Sequence, residues 1–184
     1  IGAVVVKAEV NGTVLAYLAP GTITAGRDLL VSALGRATPT ATSQQAAGGI
    51  VSGGGSTAES ISSLKVRVFL GRNPAYGLPG GSYSAQAGSI FGIAKAEGGS
   101  TATANGINVS SISVGISSAK AVCNAAAELT VGGNAVLTAG RDLNLQAEQQ
   151  NTSSSYASTS TGTLVGGAGS KAETETTSSA AVYL

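Results

Sequence analysis

The chain has 184 residues with 10 Lys or Arg, 9 Asp or Glu and no histidine, so it is close to neutral. Scattered charge excludes the basic stripe of a nucleic-acid binder, and the missing histidine removes the usual general base, the Ser-His-Asp triad and the commonest metal ligand. Alanine (31), glycine (27), serine (24) and threonine (18) make up more than half of the chain, which cannot fill a thick core at native packing density but suits a thin one between closely stacked strands.

Taken in chain order, the strand signal is short alternation. Val14, Ala16 and Leu18 share one face, with Leu15 and Tyr17 opposite. Gly26-Arg27-Asp28 follows as a turn, where glycine allows φ > 0 and the aspartate accepts a backbone N–H. Thr38, Thr40 and Thr42 alternate next, then Val66, Val68 and Leu70. Residues 71–81 are rich in Gly and Pro and read as a loop leaving the array. Ala87-Gly88-Ser89-Ile90 is a worn copy of the turn without its Arg-Asp pair. Ile112, Val114 and Ile116 alternate again, and Ala125-Ala126-Ala127 is too short for a helix. Gly140-Arg141-Asp142 restores the turn, and Thr159, Thr161 and Thr163 alternate beyond it.

The chain also repeats itself. Residues 21–70 align without a gap to 135–184, 114 residues on, with 17 of 50 positions identical. The anchors are Thr24-Ala25-Gly26-Arg27-Asp28-Leu29 against Thr138-Ala139-Gly140-Arg141-Asp142-Leu143. An aromatic strand end recurs as Tyr17, Phe69 and Tyr183, with Ala121-Val122-Cys123 as a degenerate copy, which gives spacings of 52, 53 and 61 residues. Units of 50–60 residues are expected, each long enough for two or three solenoid coils of roughly 20 residues. The organisation expected is one continuous array over 1–184: a partial unit 1–20, then 21–70, 71–134 carrying the loop insertion 71–81, and 135–184.

Alternating Val/Ala strands punctuated by Ala-Gly-Arg-Asp-Leu, sharpest over residues 25–33 and 139–147, resemble the repeats of large secreted bacterial exoproteins of the filamentous-haemagglutinin and filamentous-adhesin type. That resemblance implies a right-handed parallel β-solenoid, an extracellular or cell-surface location, and roles in adhesion or matrix. The fold class expected is all-β, a parallel β-solenoid of 50–60-residue units. The alternative is an antiparallel β-sandwich stalk, for which Asn11-Gly12 and Asn105-Gly106 are hairpin signals.

No residue set specifies a reaction, so no catalytic, cofactor or metal site is expected. Gly26, Arg27, Asp28, Gly140, Arg141 and Asp142 read as structural turns. Glu173 and Glu175, beside Lys171, read as a solvated strand face. Lys7/Glu9, Lys95/Glu97 and Lys171/Glu173 can pair along a strand or between rungs. Gly53-Gly54-Gly55-Ser56 lacks the Lys and the helix of a phosphate loop. Cys123, in an apolar run, reads as a buried hydrophobe. Sequons begin at Asn11, Asn108 and Asn151, and would matter only in a eukaryotic secretory pathway. No apolar run approaches the ~20 residues of a membrane span.

The leading functional expectation is a structural segment of an extracellular bacterial filament, stalk or matrix fibre. Its partner would be itself, through further rungs end to end and rods side by side. The alternative is an adhesin segment binding a glycan or a cell-surface protein, with Tyr76 and Tyr83 as the candidate surface. A threonine-row ice binder is a third reading. The sequence also reads as a piece of something longer.

Overall fold

The computed structural model describes residues 2–72 and 80–184. Among them nine strands follow in order: β1 (Gly2–Leu18), β2 (Thr22–Ala25), β3 (Leu29–Ala37), β4 (Thr40–Leu70), β5 (Gly81–Ala85), β6 (Ile90–Val131), β7 (Ala135–Ala139), β8 (Leu143–Gly162) and β9 (Val165–Tyr183). Every pairing between them is parallel. The protein is therefore all-β, and its long parallel strands are compatible with a β-solenoid. The antiparallel alternative is excluded. Asn11-Gly12 and Asn105-Gly106 lie inside β1 and β6 rather than in hairpins. Gly106 faces inward, where a methyl group would meet Ser117 Oγ at 2.8 Å. Here the glycine serves space rather than a turn.

The path is a circuit of three segments. An outbound arm runs from residue 29 to 49 and a return arm from 51 to 70, while a short strand links one return arm to the next outbound arm. The pattern recurs as 90–109, 112–131 and β7, then as β8 and β9. Outbound stacks on outbound and return on return. Leu29 lies beside Ile90 and Ile90 beside Leu143; Tyr17 lies beside Phe69, Phe69 beside Thr130, and Thr130 beside Tyr183. Short strands β2, β5 and β7 form a separate three-stranded sheet.

These registers correct two expectations. Paired return-arm residues are 52, 61 and 53 apart, so each 50–60-residue unit makes a single circuit rather than two or three small coils. The arms run long because small residues alternate for about twenty positions with no turn chemistry to break them. The 114-residue self-similarity spans two circuits. The degenerate aromatic copy lies eight residues beyond its expected place. Thr130, not Val122, stands in the Tyr17 column, and Val122 pairs with Ile61. The 61-residue circuit is the one carrying the insertion, which accounts for its extra length.

Outbound and return arms face each other across a thin core. Near the short strands it contains Val66, Val68, Leu70 and Leu129, all fully buried, against Ala94 and Ala96. Further out it thins to Ala41, Ala58, Ala102, Ala104, Ala119 and Ala121, each fully buried. Serines bridge this narrow gap. Ser60 Oγ donates to Pro39 O at 2.9 Å, Ser62 Oγ to Ala37 O at 3.3 Å, and Ser43 and Ser56 hydroxyls pair at 2.7 Å. A buried hydroxyl is tolerated when it is bonded, and here the bonds join facing arms. The unusual composition thus has its cause in the narrow space between the arms.

Candidate functional site

The Gly-Arg-Asp turns stack over one another at the start of each outbound arm. Asp28 Oδ1 accepts the Ser89 N–H at 2.8 Å, Ser89 Oγ donates to Asp142 Oδ2 at 3.3 Å, and Asp142 N–H donates to Ser89 Oγ at 3.2 Å. Backbone bonds complete the column: Leu29 N–H to Ser89 O and Ile90 N–H to Asp142 O, both at 2.9 Å. The aspartates therefore cap the neighbouring circuit rather than their own turn. Ser89 takes the place of the missing aspartate, in a turn one residue longer: Ala25 pairs with Ala85, but Leu29 with Ile90. Alternating Asp–Ser–Asp keeps two carboxylates from standing in adjacent rungs, where like charges would repel. Arg27 and Arg141 are exposed.

The glycines of these turns differ from expectation. Neither Gly26 nor Gly140 has positive φ; among the described residues that conformation belongs to Gly49, Gly71, Gly80, Gly81 and Asn134. Gly140 is needed for closeness, because a methyl group there would run into the Gln86 carbonyl oxygen and lie 3.2 Å from Ala85 O. At Gly26 nothing lies within 4 Å. Gly140→Ala is accordingly expected to destabilise the fold by about 1–3 kcal/mol through overpacking, while Gly26→Ala should stay within ~0.5 kcal/mol. Urea unfolding of the two variants checks this, and equal effects would show that the turn itself, not the stacking, demands glycine.

Tyr83 is not a binding surface. It is fully buried between Ile23 and Leu137, and its hydroxyl donates to Ala19 O at 2.7 Å. Burial pushes its phenol pKa up. Tyr76 lies outside the described residues. Gly80 N–H donates to Gly71 O at 2.8 Å. Tyr17 and Tyr183 are half exposed, whereas Phe69 between them is buried.

The Lys-x-Glu pattern forms ion pairs along and between rungs. Lys7 meets Glu9 at 2.9 Å and Glu59 at 3.9 Å; Lys95 meets Glu97 at 3.4 Å and Glu148 at 3.9 Å; Lys171 meets Glu173 at 3.1 Å. Hydrogen bonding from Lys7 and Lys171 holds the Glu9 and Glu173 carboxyls below the ordinary range. Glu175 lies 4.0 Å from Lys120. These pairs are solvent-exposed and set register more than stability. Cys123 is a fully buried free thiol, with its pKa raised by desolvation. Among the described residues no group of three or more Cys, Asp or Glu could hold a metal ion, and no helix is long and apolar enough to cross a membrane.

The threonine rows separate. Thr159 and Thr163 donate to Gly169 O and Ser111 O, so their hydroxyls are engaged in the fold. Thr40 and Thr42 stack on Thr101 and Thr103, but Tyr156 follows Thr103 and interrupts a flat hydroxyl lattice. An open groove of about 300 Å³ lies beside Pro39, lined by Arg36, Thr38, Glu97 and Gln150.

One pattern emerges only from the stacking. No charged residue occurs between Arg36 and Glu59, between Glu97 and Lys120, or between Glu148 and Lys171. Registers put Glu59 beside Lys120 and Lys120 beside Glu173, so these segments together form one uncharged flank of the stack, at the far ends of the arms. The signal in the sequence is the charge along the chain phased by circuit, which needs the circuit length first. Scans against family models, curated proteins and solved structures each return no match.

Proposed function

We propose that the chain is a structural segment of an extracellular bacterial filament, stalk or matrix fibre, built as a parallel β-solenoid like the filamentous-haemagglutinin-type exoproteins it resembles. The observation that supports this most is the shared register. Four return arms and three outbound arms stack in parallel, as further rungs would on either side. Partners on this reading are other circuits of the same kind, covalent or head to tail, and its work is mechanical rather than catalytic. Dimensions refine it. Arms of about 20 residues are ~65 Å long, whereas four rungs rise only ~19 Å, so the segment alone is a slab and becomes a fibre only with many circuits. Oriented samples of a longer array are expected to give a meridional reflection near ~4.8 Å. Scattering from residues 1–184 should report an elongated particle, about three times longer than it is high, and a compact sphere would refute the stacked arrangement.

A further inference from the structure

The uncharged flank of the stack carries a relief. On the outer face of the return arms, Ile112, Val114 and Ile116 of the middle circuit are 50–61% exposed. Two of them have glycine neighbours in the adjoining circuits: Val114 lies between Gly53 and Gly167, and Ile116 between Gly55 and Gly169, whereas Ile112 lies in a level row between the exposed Val51 and Val165. A branched ridge therefore stands between two glycine furrows. The spacing of ridge and furrow is one rung, ~4.8 Å.

We propose that this face docks a second copy of the chain, the ridge of one copy seated in a furrow of the other. A two-fold arrangement lets both ridges seat at once, because the same surface supplies ridge and furrow. Identical rung spacing keeps the two reliefs in step along the whole contact. No side-chain charge on either copy has to be stripped of water. A nucleic acid or an acidic peptide, by contrast, finds no complementary group here. Six uncharged residues of each of three return arms (51–56, 112–117 and 165–170) offer roughly 300 Å² per copy, against ~800 Å² per partner in a standard stable interface. The association is therefore weak and reversible, with a dissociation constant of about 1 mM for this segment, and tighter for arrays with more circuits. This inference does not depend on the filament reading, since it uses a flank of the stack and not its first and last rungs.

Sedimentation equilibrium of residues 1–184 is expected to show a monomer–dimer equilibrium. Val114→Thr with Ile116→Thr should weaken it by at least about tenfold, with unchanged circular dichroism and thermal midpoint because both side chains are exposed. Gly53→Gln, which fills a furrow, should do the same. A parent chain that stays monomeric to ~1 mM would overturn the proposal. So would variants that associate as tightly as the parent, which would put the contact at the free edges of β1 and β9 instead. A monomer that floats with uncharged phosphatidylcholine vesicles would also overturn it, in favour of a lipid surface.

Discussion

Replacing Leu129 with alanine is expected to destabilise the protein by about 2–5 kcal/mol, the range for emptying a well-packed aliphatic site. Leu129 is fully buried and lies between Val68 and Val182 in the stack of return arms. Across the core it fills a space that Gly92 leaves open. A methyl group on Gly92 would sit 2.8 Å from Leu129 Cδ1, 3.0 Å from Leu145 Cδ2 and 3.4 Å from Leu70 Cδ1. Large and small residues are thus matched between the arms, and the match makes a second outcome checkable. Gly92→Val alone should be destabilising by about 1–3 kcal/mol through crowding. Combined with Leu129→Ala it should refill the cavity, so the pair costs less than the two single changes together. Urea midpoints at constant slope measure all three variants. Strict additivity would show that residues 92 and 129 do not share one space.

The second large effect is expected at the opposite extreme of side-chain size. Ala119 is fully buried in the alanine layer, stacked between Ala58 and Ala172. There is no furrow for a longer chain, and both neighbours in the stack are alanines too. Ala119→Leu should force the arms apart and cost about 1–3 kcal/mol or more, despite adding apolar surface worth ~0.8 kcal/mol per buried methylene. Crowding outweighs hydrophobic gain because the gap cannot widen at one residue without breaking serine bonds such as Ser60 to Pro39. For a chain of this size each kcal/mol lowers the midpoint by about 2–4 °C. Ser118→Leu, one residue along and not facing the core, supplies the control, and a melting temperature raised by Ala119→Leu would refute the thin-core account.

Much of the fold was legible in the sequence, and for physical reasons. A strand's two faces alternate, so Val66, Val68 and Leu70 announced themselves. Small side chains announced a narrow core. The parallel arrangement followed from in-register repetition. The 50–60-residue unit was legible too, from the aromatic strand ends, but not that each unit closes in a single circuit, because adjacent circuits have diverged while alternate ones agree. Gly53 and Gly55 recur as Gly167 and Gly169, whereas Val114 and Ile116 intervene. Asp28 recurs as Asp142, with Ser89 between them in the hydrogen-bonded column. A gapless comparison of the sequence with itself therefore finds the two-circuit period, while the one-circuit period shows only in the spacing of the aromatic strand ends. The Tyr83 expectation failed for a different reason: an aromatic near a Gly/Pro-rich loop can lie over the loop or under it, and only the packing of β2, β5 and β7 decides. The candidate site itself was the least legible feature, since an absence of charge becomes a surface only once the arms are stacked.

The length of the circuit also fixes how much chain each layer holds. A layer adds only ~4.8 Å of height, yet consecutive layers lie 52–61 residues apart along the backbone. Drawn out at ~3.4 Å per residue, one layer corresponds to about 180–210 Å of extended polypeptide. Tension applied along the stack would therefore meet parallel strands that separate layer by layer, each release lengthening the molecule some forty times more than the height it surrenders. Such an array yields under load by letting out slack, one layer at a time, long before the covalent chain is taut.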